Sequence, residues 1–365
     1  MKKNTNILEF CLSPDLGGLE LFMINCFNNF KEKSNCNVIV EKNTKLDKYL
    51  GNNEQFHLKR NKFFPIIPAI KLAKYIDDNN IDVIHFHWTK DIATVVLARV
   101  LSRKRPQIIQ TRNMTMTRFK NDFYHKWLYK HINTMHAVTF QVQEQLKKFI
   151  PEEVCPHIEM VYMGTEECAI NKIDIDKLKK DYSLNDDDFI VGIVGRIQES
   201  KGQYLVIEAI KKLANPNIKA LIVGHTMDDS YLNNLKQEVI NQKLENQIIF
   251  TGFTKKVNEH MKLFDTNILA TPHETFGLVV IEAMINQVCM IATNKGGPLE
   301  IIDDGKDGLL FNRTSDDLSK KINLLYKNKE YKDRLALQGY KKAKEKFNST
   351  IQLKQLHQII EKISS

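Results

Sequence analysis

Short apolar runs alternate with segments of helical period along nearly the whole chain, and the alternation runs through two successive series. A strand covered on both faces, as in a parallel sheet, reads as a continuous apolar run, whereas the helix covering it repeats every 3.6 residues. The first series predicts strands at residues 7–12, 37–40, 83–86, 107–111, 135–139 and 158–162, with helices between them such as 19–30, 68–77 and 91–101. The second predicts strands at 189–194, 220–223, 248–250, 267–270, 288–292 and 308–311, then two charged helices from about residue 331. Between the series lies a polar stretch ending in Asn185-Asp-Asp-Asp188. The expected fold is therefore α/β, with two Rossmann-like α/β/α domains, 1–165 and 189–345, joined once by a linker at 166–188. A C-terminal helix, 346–365, is expected to pack back on the first domain. Ligands in such sheets bind at the carboxyl ends of the strands, so two domains facing across a cleft would hold their site there.

The 365 residues suffice for two buried cores. No apolar run reaches the 18 or more residues that span a bilayer. The first apolar stretch is short and interrupted by Glu9, which reads as a strand and not as a signal peptide. Six cysteines without a CxxC pair read as core thiols of a reducing compartment. The net charge of +9 is concentrated: residues 99–148 hold eleven lysines or arginines against two acids, Asp122 and Glu144. Such a window is either solvated helix surface or a basic face for an anionic membrane or a phosphorylated acceptor. Nucleic acid is not expected, because none of its recognition signatures is present.

Four clusters point to a phosphorylated sugar as ligand. Asp15-Leu-Gly-Gly-Leu-Glu20 follows the first strand, and Gly17 and Gly18 let backbone approach a phosphate at a helix start. It is not G-x-G-x-x-G, which disfavours a dinucleotide cofactor. Gly195-Arg196 and Lys201-Gly202 follow the first strand of the second series; Arg196 offers a fork of donors and Lys201 a point charge. Thr271-Pro-His-Glu-Thr-Phe-Gly-Leu-Val-Val-Ile-Glu-Ala-Met284 puts Glu274 in a loop and Glu282 about one turn inside a helix. Gly296 and Gly297 precede a short helix as a second cradle. Asp174-Ile-Asp176 and Asp186-Asp-Asp188 look like metal motifs but fit turn and cap chemistry better, so no metal is expected.

With these clusters in this order, the chain resembles the retaining family 4 glycosyltransferases of GT-B fold (the group 1 glycosyltransferases) over essentially its whole length. The resemblance implies a nucleotide-diphosphate sugar, UDP- or GDP-linked, as donor substrate, without a cofactor, lying mainly on the second domain. It implies that Arg196 and Lys201 neutralise the diphosphate while Gly17 or Gly18 closes over it. Glu282 would accept hydrogen bonds from the ribose, and Glu274 would face the transferred sugar beside the amides of Phe276, Gly277 and Leu278. Thr251, Gly252 and Phe253 resemble the loop beside the nucleobase, and His273 is placed to line the sugar pocket. Glu274, Arg196 and Lys201 form the catalytic set. Retention by front-face internal return lets the leaving oxygen deprotonate the acceptor, so no protein base is required.

One departure concerns Ile109-Gln-Thr-Arg-Asn113. A histidine usually follows Thr-Arg in a similar subgroup; here Asn113 offers one amide hydrogen bond and Arg112 a charge, and neither shuttles a proton at neutral pH. Of His85 and His87, one is expected to face the first-domain site and the other the packing, with His87 the candidate. His225 is placed to approach the nucleotide. Acceptor binding is expected on the first domain, where Lys62-Phe-Phe-Pro-Ile-Ile-Pro68, beside Lys59 and Arg60, either rests on a membrane or forms a buried loop-to-helix junction. The expected protein is cytoplasmic, peripheral at the inner face of the membrane, and moves a sugar to a saccharide or lipid-linked acceptor in envelope polysaccharide, lipopolysaccharide or glycoconjugate biosynthesis. The alternatives are a degenerate nucleotide-sugar-binding protein and a GT-B epimerase or phosphorylase.

Overall fold

The computed structural model describes residues 5–51, 55–61, 64–168, 170–226 and 228–364. Lys62 and Phe63 of the expected acceptor loop lie outside the described residues. The chain forms two compact units, Met1–Met163 with Thr350–Ser365, and Gly164–Ser349, so it passes between them twice and not once.

The first unit holds β1 (Asn6–Cys11), β2 (Asn35–Val40), β3 (Phe56–His57), β4 (Val83–Phe86), β5 (Gln107–Arg112), β6 (Thr134–Ala137) and β7 (His157–Met160). All pair in parallel, in the order β3-β2-β1-β4-β5-β6-β7. The two-residue edge strand β3 was not expected, because no periodicity shows over two residues. The order reverses at β1, which pairs with β2 on one side and β4 on the other. The loops after β1 and β4 therefore diverge to opposite faces and open a crevice at their carboxyl ends. The C-terminal helix Ser349–Ser364 docks on this unit, with His357 Nε2 2.8 Å from Ser34 Oγ and its ring 5.2 Å from that of Phe30.

The polar groups inside this sheet are joined. Glu9 on β1 meets His85 Nδ1 at 2.8 Å and His87 Nε2 at 2.7 Å. His85 Nε2 lies 2.6 Å from Thr111 Oγ1, which lies 2.9 Å from His136 Nδ1, and His136 Nε2 donates to the Val161 carbonyl at 2.7 Å. His85 and His87 thus both turn inward, against the expectation that they part. The reason is elementary: side chains two positions apart on extended backbone share a face. Burial pushes the pKa of His136 down to about 3 and that of His87 to about 4, from 6.5. The folded state keeps both neutral, so their contribution is complete above pH 6.5 and is lost as pH falls toward 4 and 3. Each ring should cost about 1.4 kcal/mol per pH unit in that window. Asp91 and Glu282, whose pKa values burial lifts to about 7 and about 6, act in the opposite sense over the same range. The test is therefore a difference: the urea midpoint of wild type should lose more between pH 7 and pH 5 than that of His87→Gln, and equal pH dependence in the two contradicts this account.

The second unit holds β8 (Phe189–Val194), β9 (Ile218–Val223), β10 (Ile248–Gly252), β11 (Thr266–Leu269), β12 (Cys289–Thr293) and β13 (Leu309–Phe311). They pair in parallel in the order β10-β9-β8-β11-β12-β13, with the reversal between β8 and β11. Six apolar runs in the sequence became these six strands; β8, β9, β11 and β12 are buried along nearly their whole length, while the edge strand β10 is mostly half-buried. Val206, Ile210, Ile222, Leu318 and Ile322 share one buried apolar cluster of this unit. The stretch expected as linker carries the helix Lys172–Asp181 and belongs to this unit. Its acids act as caps and ion pairs: Asp174 meets Lys256 at 2.8 Å, and Asp188 meets Lys219 at 2.6 Å.

Candidate functional site

The reversal between β8 and β11 places two of the four sequence clusters side by side. The loop after β8 carries Arg196 and Lys201; the loop after β11 carries His273 and Glu274. Lys201 Nζ lies 3.2 Å from Glu274 Oε2, with both side chains partly exposed. The Lys201 loop is held from beneath. Gly202 takes φ +77°, and a Cβ there would stand 2.7 Å from that of Ala270. The buried Gln203 donates from Nε2 to the Arg196 carbonyl at 2.9 Å. Arg196 itself is exposed.

The Glu274 loop ends at Gly277, φ +96°, the N-cap of the helix Leu278–Ile285. The amides of that first turn have no partners within the helix and favour an anion. Phe276 points the other way: its side chain is buried, 6.0 Å centroid to centroid from Phe347, and its ring is turned into the core. Gly296 and Gly297, expected as a second cradle, are the support of the first. The Gly297 amide donates to the Glu274 carbonyl at 2.8 Å. A Cβ on Gly296 would fall 2.3 Å from that carbonyl oxygen, and one on Gly297 would fall 2.4 Å from the Phe276 oxygen.

Glu282 lies one turn into the helix. Its carboxylate has no hydrogen-bond partner among the described residues, and it remains partly open at the surface. Enough protein surrounds it that desolvation lifts its pKa to about 6. Farther along the same edge, β10 slips register between Phe250 and Gly252, which takes φ +75°. This bulge pushes out Phe253, 65% exposed, whose ring meets that of His225 at 5.8 Å, edge to face. Thr251 Oγ1 lies 3.4 Å from the Ile222 carbonyl.

The first unit has its own crevice after β1 and β4. Gly17 is the N-cap of the helix Gly18–Phe30, with an extended φ of −149° that any residue adopts. Its amide is already taken by Glu20 Oε2 at 2.8 Å, while Glu20 Oε1 accepts from Ser13 Oγ at 2.5 Å. A glutamate three residues after the cap is a sequence signal for this bracing. Asp91 holds the same loop by accepting the Leu12 amide at 2.9 Å, and burial lifts its pKa to about 7. Arg112 is not a free charge. Buried, it donates to the carbonyls of Met114 and Thr115 at 2.8 and 3.0 Å and to Thr89 Oγ1 at 2.8 Å, tying its own loop down. Neither amide atom of Asn113 finds a protein partner among the described residues, although both are covered. His87 is buried on Glu9, as above, and does not join this crevice's polar groups.

Sequence reasoning missed Gln203, Glu20, Asp91 and Arg313, whose Nε donates to the Ala270 carbonyl at 2.8 Å beneath the Lys201 loop. Each acts through a loop and not on a ligand. Only Glu20 carried a readable signal.

Residues 9–142 match a family model described as glycosyl transferase 4-like, and residues 174–342 match one described as glycosyl transferases group 1. The chain is 29% identical over 247 residues to N-acetyl-alpha-D-glucosaminyl L-malate synthase of Bacillus anthracis, covering 66% of this chain and 64% of that one. It is 22% identical to the lipopolysaccharide core biosynthesis mannosyltransferase LpcC of Rhizobium leguminosarum, covering 61% and 62%. The solved HepE of Anabaena, in complex with UDP and glucose, superposes with a TM-score of 0.85 at 20% identity over 98% of this chain and all of that one. A glycosyltransferase from Rickettsia africae superposes at 0.88, with 21% identity over 99% of each. Both are similar in fold, two Rossmann-like domains of the GT-B type.

Proposed function

We propose that this chain, a glycosyltransferase of GT-B type, moves one sugar with retention from a UDP- or GDP-linked donor to a saccharide or lipid-linked acceptor. The observation that carries the proposal is the Lys201–Glu274 pair at 3.2 Å beside a helix N-terminus, at the point where the second sheet reverses. Breaking a sugar–phosphate bond builds positive charge at the anomeric carbon and negative charge on the leaving diphosphate. Lys201 and Arg196 stabilise the leaving charge, Glu274 lies against the sugar, and these fixed charges do the work that a metal does elsewhere. The ribose hydroxyls donate to Glu282, and the base stacks in the corner made by His225 and Phe253, near Thr251.

The setting we assign is envelope polysaccharide, lipopolysaccharide or glycoconjugate assembly, in line with the names of the relatives, with peripheral contact to an anionic membrane. A second reading, donor binding without turnover, draws on Asn113 and on the tied guanidinium of Arg112. A thermal-shift screen of nucleotide sugars, followed by transfer assays with the anomer of the product assigned by NMR, separates the two. A chain stabilised by a donor yet silent toward every acceptor supports the second.

Donor affinity should also report Glu282. Losing two hydrogen bonds to a carboxylate in Glu282→Ala should weaken binding at least about tenfold. Because its pKa is raised to about 6, wild-type affinity should decline as pH falls through 6. Glu282→Gln should abolish that decline, and an unchanged pH profile in this variant refutes the ribose role.

A further inference from the structure

We propose that the outer face of the helix Ile66–Asp78 seats the first unit on an anionic lipid surface. In an α/β layer a helix buries one stripe and shows water the other. This helix buries Pro68, Ala69, Leu72, Ala73 and Ile76 against the sheet, which completes its packing. Its outer face nonetheless begins with isoleucines: Ile66, Ile67 and Ile70 are each more than half exposed, and Phe64 just before them is 66% exposed. Of the described residues of this segment, Phe64, Ile66 and Ile67 therefore do not form a buried junction, while Pro68 is buried against the unit.

The same face then turns basic. Lys71 and Lys74 follow on it, both exposed. Beside them, Leu101 at the end of the neighbouring helix Ile92–Leu101 and Arg103 just after it join Ile70, Lys74, Asp77 and Asp78 around a depression of about 430 Å³, where Asp77 is already occupied by the amides of Arg103 and Lys104. At 1.5 Å per residue, the lysines lie roughly 6 to 12 Å along the axis from the leading isoleucines. That order is what a lipid interface accepts: apolar side chains below the headgroups and cations at the phosphate level, reached by flexible stems. An anionic leaflet also attracts exposed cations of the 99–148 window such as Arg103 and Arg105, whereas Arg112, buried and tied to its own loop, takes no part. A lipid surface supplies both the apolar layer and the negative one in this sequence along a single helix.

The inference deepens the acceptor side of the proposed function by naming the face that brings the enzyme to a membrane-held acceptor. Its test needs no turnover. The full chain is sedimented with phosphatidylglycerol-rich or pure phosphatidylcholine vesicles, at low and at high salt. Recovery should be greater with phosphatidylglycerol and should fall with salt. Ile67→Ser combined with Ile70→Ser should lower partitioning about tenfold or more, with an unchanged thermal midpoint. Lys71→Gln with Lys74→Gln should remove much of the preference for phosphatidylglycerol. Equal recovery on both vesicles at low salt overturns the proposal, as does full binding by the isoleucine variant. So does a dimer on size-exclusion chromatography that the isoleucine substitutions dissolve, since a second copy would then cover the face. Transfer to a soluble acceptor without vesicles is measured separately, so loss of this inference leaves the transferase reading intact, and the converse.

Discussion

Lys201→Ala is expected to lower the turnover of sugar transfer by about 10²- to 10³-fold, the loss typical when one preorganised charge aimed at a developing anion is removed. The fold should survive. Lys201 and Glu274 are both partly exposed, 29% and 22% for their side chains, and an ion pair so placed contributes no more than about 1 kcal/mol. The thermal midpoint should therefore move little while kcat collapses. The ammonium is held by Glu274 at 3.2 Å; on the proposed reaction a bound diphosphate would offer it a stronger partner and leave Glu274 for the sugar. Glu274→Gln should then lower kcat as well, and the double variant should fall short of the product of the two single losses because both act on one charge. Steady-state kinetics decide it. Turnover of Lys201→Ala within a few-fold of wild type would remove this site from the reaction.

Gly296→Ala is expected to damage stability and transfer together. Gly296 takes φ +71°, where a side chain costs roughly 1–3 kcal/mol. The added Cβ would also fall 2.3 Å from the Glu274 carbonyl oxygen, which is backbone and cannot rotate away. Either the loop after β11 moves or the loop after β12 does, and both carry the site. A displacement near 1 Å can cost about 10²-fold in rate, so transfer should fall by that order with a clear drop in melting temperature. Gly277→Ala is the comparison. It too has positive φ, but its nearest neighbours, at 3.3 Å, are the tips of Leu269 and Val280, which can give way. It should be the milder of the two, and equal melting of Gly296→Ala and wild type would show that the loop absorbs the clash.

The fold was legible wherever burial is two-sided. The six strands of the second unit follow six apolar runs, and Gly195, Gly277 and Gly305 mark turns by their positive φ. The edge strand Phe56–His57 left no signal, since an edge needs no apolar run. The helix Lys172–Asp181 was hidden because none of its residues is buried and its composition reads as a linker. At the site, residue types were readable and partnerships were not. Gly296 and Gly297 carried a glycine signal, but whether they face a ligand or brace Glu274 depends on a contact more than twenty residues away. Arg112 read as a free charge until its three carbonyl and hydroxyl acceptors were in view.

The sequence by itself determined that this chain builds two parallel α/β layers, and it set a lysine, an arginine and a glutamate in loops, and a second glutamate one turn into a helix, that such layers bring to their carboxyl edges. Local physics suffices for that, because apolar periodicity fixes strand and helix and glycine fixes the turns. Only the tertiary structure decided which charges meet. Strand order, not spacing, puts Lys201 against Glu274 across 73 positions, turns His85 and His87 both onto Glu9, and leaves three isoleucines of one helix facing outward. A hydrogen bond or a desolvation cost depends on distances of a few ångströms, and those exist only once the sheets have closed.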